Sequence, residues 1–114
     1  QRQMCIRDRE ELLIDASIND TIVKYAQNTR AAGLDGVVCS PLEAGMVHGA
    51  CGEEFLTVTP GVRFADGDVA DQVRVTTPAR AREIGSDLIV VGRPITAAED
   101  PVAAYRRCVA EFVG

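Results

Sequence analysis

Short apolar runs of strand length recur three times along the chain, and each run follows a glycine and an acidic residue. Glycine often ends a helix in the left-handed conformation, and β-branched residues favour strands. The match of Gly33-x-Asp35 to Gly85-x-Asp87 indicates repeated units. The three segments, each predicting a strand entered from a helix end, are Gly-Leu-Asp-Gly-Val-Val-Cys-Ser-Pro-Leu-Glu at 33–43, Gly-Glu-Glu-Phe-Leu-Thr-Val-Thr-Pro at 52–60 and Gly-Ser-Asp-Leu-Ile-Val-Val-Gly-Arg-Pro at 85–94.

Helix starts are marked by a capping residue followed by proline at the first helical position. Ser40-Pro41 with Glu43 has the order of a capping box, and Thr77-Pro78 and Asp100-Pro101 repeat the cap-then-proline pair. Strands that alternate with helices predict βα units and a parallel sheet. The predicted helices cover about 41–50, 78–84 and 101–112, with an earlier one from about Asp20 to Ala32.

The predicted strands leave two features unexplained. Their near-continuous apolar runs indicate burial on both faces, yet three strands form an open sheet whose inner face needs cover, so the chain looks incomplete. A long loop, Pro60 to Thr76, also separates the second strand from the next helix. Loops of this length are usually functional, and we predict a ligand-closing loop, with a solvated surface insertion as the alternative. Its polar members include Arg63, Asp66, Asp68, Asp71, Gln72 and Arg74.

Composition narrows the class of protein. The 114 residues suffice for one small domain, and 46% hydrophobic with 25% charged residues is ordinary globular composition. Aromatic residues are 4% and Trp is absent, so we expect a core of Val, Ile, Leu and Ala. The net charge of −5, without a basic run, argues against nucleic acid or an anionic membrane as the main partner.

The cysteines and the single histidine predict no metal site. Cys5, Cys39, Cys51 and Cys108 form no CxxC pair, and His48 is alone. We expect Cys39 to be a small buried hydrophobe and His48 to be a surface or packing residue rather than a catalyst. Without a signal peptide or a long apolar span, we expect a cytoplasmic location.

One candidate anion site follows the third predicted strand. Gly92-Arg93-Pro94 comes directly after Leu88–Val91. A glycine there lets backbone N–H groups approach a phosphate, and an arginine can bind two phosphate oxygens through its planar fork. A Gly-Arg pair alone is a weak signal, but Arg63 ends the preceding strand on the same side. Gln72 follows in the long loop, so we predict that these groups converge on one ligand.

Four motifs in order resemble orotidine 5′-phosphate decarboxylase of the bacterial type, from about Glu10 to the C-terminus. They are Gly-Leu-Asp-Gly-Val-Val-Cys-Ser at 33–40, Val-Thr-Pro-Gly-Val-Arg at 58–63, Asp71-Gln72 with Arg74, and Val-Val-Gly-Arg-Pro-Ile-Thr at 90–96. The resemblance implies the C-terminal part of a (β/α)₈ TIM barrel, about strands six to eight with flanking helices, at residues 10–114. Residues 1–9 do not match the family pattern and are expected to be a leader outside the fold.

The resemblance also implies a function. The family converts orotidine monophosphate to uridine monophosphate without cofactor or metal, and we expect a homodimer for the intact enzyme. By the resemblance, Gly92 and Arg93 would hold the phosphate, Gln72 would bridge towards phosphate and pyrimidine, and Arg63 would anchor ligand and loop. The family's catalytic Asp-x-Lys-x-x-x-Asp pattern is absent, and Lys24, the only lysine, lies in a predicted outer helix. We therefore expect no catalytic residue in this chain and negligible activity from it alone.

Two other functions stay open from the sequence. One is another phosphate-binding barrel enzyme, such as a sugar-phosphate decarboxylase or epimerase, although the 59–63 stretch together with Asp71-Gln72 argues against it. The other is a non-catalytic half-barrel that binds a phosphate ligand or associates with itself, since unpaired strand edges tend to pair with other chains.

Overall fold

A three-stranded parallel sheet organises the protein, as the repeated segments predict. The computed structural model describes residues 17–65 and 76–114. The strands are β1, Gly36–Val38, β2, Leu56–Thr59, and β3, Leu88–Ile89. They lie in the order β1-β2-β3, and both pairings are parallel. Parallel neighbours joined through helices are the arrangement expected of βα units.

Helices connect and flank these strands. A 3₁₀ turn at Pro41–Glu43 leads directly into the second helix. None of the helices in the two described ranges is long and apolar enough to span a membrane. The helices are α1, Ile18–Ala31, α2, Ala44–Cys51, α3, Pro78–Glu83, α4, Arg93–Thr96, and α5, Pro101–Phe112.

The predicted caps are present at three helix starts. The Ser40 hydroxyl and the Glu43 carboxylate form the capping box, Thr77 Oγ1 accepts the Arg80 N–H at 3.1 Å, and Asp100 Oδ1 accepts the Ala103 N–H at 3.1 Å. The prediction for the first helix was wrong by two residues. Its cap is Ser17, whose hydroxyl accepts the Asp20 N–H at 3.1 Å, so the helix begins before Asp20.

Strand register gives the sheet two unlike faces. Val58 pairs with both Val38 and Leu88, so alternate residues share a side. Thr57 and Thr59 face the helices and are fully buried. The opposite side carries four apolar side chains that are 39% to 51% exposed, which we call the open face: Val38, Leu56, Leu88 and Val90. For the described residues, the prediction that the strands are buried on both faces is therefore wrong. The expectation that one face of the sheet lacks cover is confirmed by the open face.

The main core lies between β1 and the first two helices. Its buried members are Ala26, Cys39, Val47, Cys51 and Phe55. The composition led us to expect Val, Ile, Leu and Ala; Ala26 and Val47 agree with this, but two thiols and an aromatic ring contribute as well. The four leucines of the described ranges are all exposed: Leu56 and Leu88 belong to the open face, and Leu34 and Leu42 lie on turns. The prediction that Cys39 is a buried small hydrophobe is confirmed.

One carboxylate oxygen joins three elements at the amino end of the sheet. Asp87 Oδ2 accepts the Thr57 N–H at 2.8 Å and the Thr57 hydroxyl at 2.9 Å. His48 Nε2 on α2 lies 2.8 Å from the same oxygen. His48 is only 7% exposed, so it is a packing residue, one of the two outcomes expected for it. In barrels of this type the amino ends of the strands contribute stability rather than chemistry.

These contacts also set the acidity of Asp87. Burial alone raises the pKa of this carboxyl, but the hydrogen bonds from Thr57 and His48 outweigh it and lower the pKa below its usual 3.8. A lowered folded-state pKa stabilises the fold above the unfolded value, and that stabilisation is lost as the pH falls through the folded value.

We expect Asp87→Asn to lower the free energy of unfolding by about 1–3 kcal/mol near neutral pH, because the hydrogen bonds lose their charged acceptor. The deficit should shrink as the pH falls from 3.8 through the lower pKa of the folded state, because the wild-type carboxylate then becomes protonated as well. Urea denaturation followed by circular dichroism at several pH values measures both effects. The matched control is Asp35→Asn, the exposed counterpart in the repeated Gly-x-Asp motif. An equal effect of both substitutions at every pH would contradict the role of Asp87.

A second prediction concerns the Cys39 thiol. Burial, with the negative charges of Glu43 and Asp87, raises its pKa to about 11. The thiol is therefore protonated at neutral pH and should resist alkylation, because the thiolate is the reactive form. We expect iodoacetamide at mildly alkaline pH to label Cys39 only after unfolding in urea, as read by peptide mass mapping. Rapid labelling of Cys39 in the folded chain would show that the residue is not buried as described.

Candidate functional site

The carboxyl ends of the three strands meet at one edge of the sheet. The Cys39 N–H donates to the Val58 carbonyl at 3.0 Å, and the Val90 N–H donates to the Thr59 carbonyl at 3.0 Å. The sheet hydrogen bonding thus continues past β1 and β3 towards this edge. The segment 60–63 and the Gly92-Arg93 turn follow adjacent parallel strands, so both leave the sheet at this edge, as predicted.

Gly92 and Arg93 form a tight turn into a helix. Gly92 is the N-cap of α4, and its carbonyl accepts the Ile95 N–H at 2.9 Å and the Thr96 N–H at 3.1 Å. Pro94 has no N–H, and the first residues of a helix have no acceptor in a preceding turn. The α4 ladder therefore uses neither the Gly92 nor the Arg93 N–H.

The space around this turn is open. Both residues are exposed, and a Cβ built on Gly92 would meet no heavy atom within 4 Å among the described residues. An anion could approach the Gly92 backbone closely, and the Arg93 guanidinium is accessible from solvent. A planar guanidinium next to exposed backbone N–H groups is suited to a phosphate group.

Arg63 lies beyond the end of β2, where the chain is fastened by a second, shorter pairing. Val62 forms a parallel bridge with Thr76, and the Arg63 N–H donates to the Thr76 carbonyl at 3.0 Å. Val62 is only 1% exposed, whereas Arg63 is exposed. The long loop therefore begins and ends at one buried point, and Arg63 leaves that point towards solvent.

The remaining predictions concern residues away from this edge of the sheet. Gln72 and Arg74 lie outside the described residues, so the ligand-closing role of their loop stays a prediction, as does the separate status of residues 1–9. Lys24 is on α1 and exposed, in agreement with its predicted place on an outer helix. Among the described residues, no group of three or more His, Cys, Asp or Glu side chains could hold a metal ion.

Sequence reasoning missed three features of this region. Helix α4 was not predicted, although Pro94 after Gly92-Arg93 repeats the proline signal used at the other helix starts. The pairing of Val62 with Thr76 was not predicted either, because no local sequence pattern indicates it. The third feature is the contact of Arg107 on α5 with the ring of Phe64, the residue after Arg63; no periodicity or motif connects these two positions.

The curated relatives share this sequence closely. A relative described as orotidine 5′-phosphate decarboxylase from Bacillus cereus (strain AH187) is 51% identical over 106 residues, which are 93% of this chain and 44% of the relative. The relative of the same description from Bacillus cytotoxicus has the same identity and coverage. The chain therefore spans less than half the length of the curated relatives that it matches.

Solved structures agree with the fold. A crystal structure of orotidine 5′-phosphate decarboxylase from Lactobacillus acidophilus matches with a TM-score of 0.79 and 42% identity, over 93% of this chain and 42% of that chain. An uncharacterized conserved protein from Geobacillus kaustophilus matches with a TM-score of 0.79 and 37% identity, over 98% of this chain and 46% of that chain. The prediction of part of a TIM barrel is confirmed, and the coverage is consistent with its C-terminal portion.

The family model named Orotidine 5'-phosphate decarboxylase / HUMPS family matches residues 6–108. This match covers most of the chain, including every helix and strand from α1 to β3. The chain belongs to the orotidine 5′-phosphate decarboxylase / HUMPS family.

Proposed function

We propose that this chain carries the nucleotide-phosphate-binding part of an orotidine 5′-phosphate decarboxylase, a carboxy-lyase of pyrimidine synthesis. The observation that carries the proposal is the open Gly92-Arg93 turn, which follows β3 at the carboxyl edge of the sheet. The neighbouring strand β2 leads to the exposed Arg63. Ligands of TIM barrels bind at this end of the strands, and phosphate groups bind near the last two. The curated relatives supply the reaction class.

Each predicted residue has a part in this proposal. The Arg93 guanidinium and the N–H groups of the turn hold the phosphate, as the exposure and hydrogen bonding of the turn allow. Arg63 anchors the nucleotide from the neighbouring strand end. Gln72 bridges towards the phosphate and the pyrimidine, a role that rests on the sequence resemblance. A homodimer of the intact enzyme and a cytoplasmic location belong to the same proposal.

The chemical step needs a group that this chain does not place at the site. Decarboxylation of the pyrimidine leaves a carbanion, which a nearby ammonium group stabilises and then protonates. Lys24 is the only lysine of the sequence. It is exposed on helix α1, not on one of the segments that follow β2 and β3. The phosphate is remote from the reacting carbon, yet its binding energy can lower the barrier when it is realised in the transition state. The proposed contribution of this chain is that remote binding energy.

We expect Arg93→Ala to weaken uridine monophosphate binding about 10- to 100-fold, because a charged hydrogen-bonding partner contributes about 1.5–3 kcal/mol. Binding of plain uridine should be unchanged, since it has no phosphate. Isothermal titration calorimetry measures both, with Arg30→Ala at the end of α1 as the charge-matched control. Equal loss of both ligands would show a general defect rather than a phosphate site.

The same titrations separate the alternative functions. Tighter binding of pentose phosphates than of uridine monophosphate by the unaltered chain would favour a sugar-phosphate enzyme. No anion binding, together with oligomers that grow with concentration in sedimentation, would favour a self-associating half-barrel. The open face makes this second alternative physically reasonable, because it exposes four apolar side chains on one side of the sheet.

The purified 114-residue chain should show negligible turnover of orotidine monophosphate. The reason is the absence of a lysine ammonium from the proposed site. The measurement is the change in ultraviolet absorbance when orotidine monophosphate becomes uridine monophosphate, with a full-length bacterial relative as the positive control. Turnover by this chain that persists after repeated purification would mean that another residue supplies the proton.

A further inference from the structure

Arg107 on α5 holds its guanidinium over an aromatic ring at the start of the long loop. Its Cζ lies 4.0 Å from the centroid of the Phe64 ring, well within the range of an attractive cation–π contact. The guanidinium is also oriented from its own helix, because Arg107 Nε donates to Glu111 Oε1 at 2.8 Å. A guanidinium whose orientation is set by Glu111 is suited to fixing the position of the ring beneath it.

This contact adds to the backbone fastening of the same segment. The pairing of Val62 and Arg63 with Thr76 fixes where the loop begins. The ring of Phe64, one residue further, is then drawn towards α5. Arg63 therefore lies between a backbone anchor on one side and a side-chain anchor on the other.

Helix α5 supports the other half of the site as well. It packs against α4, the turn that begins at Arg93, and against α3, which follows Thr76 after one capping residue. Helix α5 therefore contacts both segments that carry a candidate cationic group: the segment of Arg63, through Phe64, and the turn of Arg93.

We propose that Arg107 is a positioning residue: acting through Phe64, it sets the place of Arg63 relative to the Gly92-Arg93 turn and so favours a ligand that spans both, a nucleoside monophosphate. The inference rests on the proposed function for the identity of that ligand. Arg107 itself does not contact the ligand. Inorganic phosphate, held at the turn alone, does not depend on Arg107.

The first test compares two ligands on the full 114-residue chain. Arg107→Gln removes the cation and keeps most of the aliphatic stem, and Arg106→Gln, exposed on the same helix, is the matched control. We expect Arg107→Gln to weaken uridine monophosphate binding about two- to fivefold, the size of an exposed cation–π contact, and to leave inorganic phosphate binding unchanged. With Arg63→Ala already present, it should cause no further loss. Equal weakening of both ligands, or none for uridine monophosphate, would overturn the proposal.

The second test needs no ligand. Hydrogen exchange should be faster at the Arg63 amide in Arg107→Gln and in Phe64→Leu than in Arg106→Gln, with the amides of α1 unchanged in all three. Binding of uridine monophosphate with neither exchange nor affinity altered would refute the role of Arg107 and leave the proposed function in place. No binding by the unaltered chain, with the exchange responding as expected, would refute the proposed function and the role in ligand spacing with it.

Discussion

The Asp87 carboxylate is the contact on which the arrangement of the site depends. One of its oxygens accepts hydrogen bonds from the backbone and the hydroxyl of Thr57 and lies against His48. It therefore ties the start of β3 to β2 and to α2 at once. This contact matters for the register because β3 has only two residues, so the strand pairing itself is short. Any slip at this end would shift Gly92 relative to Arg63 at the other end.

The buried threonines extend this fastening along the strand. Thr59 Oγ1 lies 3.1 Å from Ser86 Oγ, two residues along β2 from Thr57. The helix-facing side of β2 is thus polar but satisfied, which is the condition under which buried polar groups stabilise a unique packing. The hydrogen bonds of Asp87 at the amino edge of the sheet therefore help to fix the relative positions of β2 and β3, and with them the segments that leave the carboxyl edge.

Much of this fold could be predicted from the sequence, because its signals are local. Ser40, Pro41 and Glu43 mark a helix start within a stretch of four residues. Glycines 33, 52 and 85 adopt the positive φ expected after a helix. For the candidate site, the sequence predicted that its two segments follow neighbouring strands, and β2 and β3 are neighbours in the sheet. Contacts between residues that are far apart in the sequence could not be predicted. His48 and Asp87, for example, are 39 positions apart. The exposed leucines could not be predicted either, since the apolar strand pattern indicates burial without showing what supplies it.

Because Val62 and Thr76 form a bridge, the stability of the fold depends little on the length of the loop between them. The bridge closes the loop at a buried point, and the entropy of such a closure grows only with the logarithm of the loop length, by about 0.6 kcal/mol per doubling. Insertions in this loop would therefore add little to the entropic cost of folding. Changes of length in that segment can therefore accumulate without disturbing the pairing of β2 with β3.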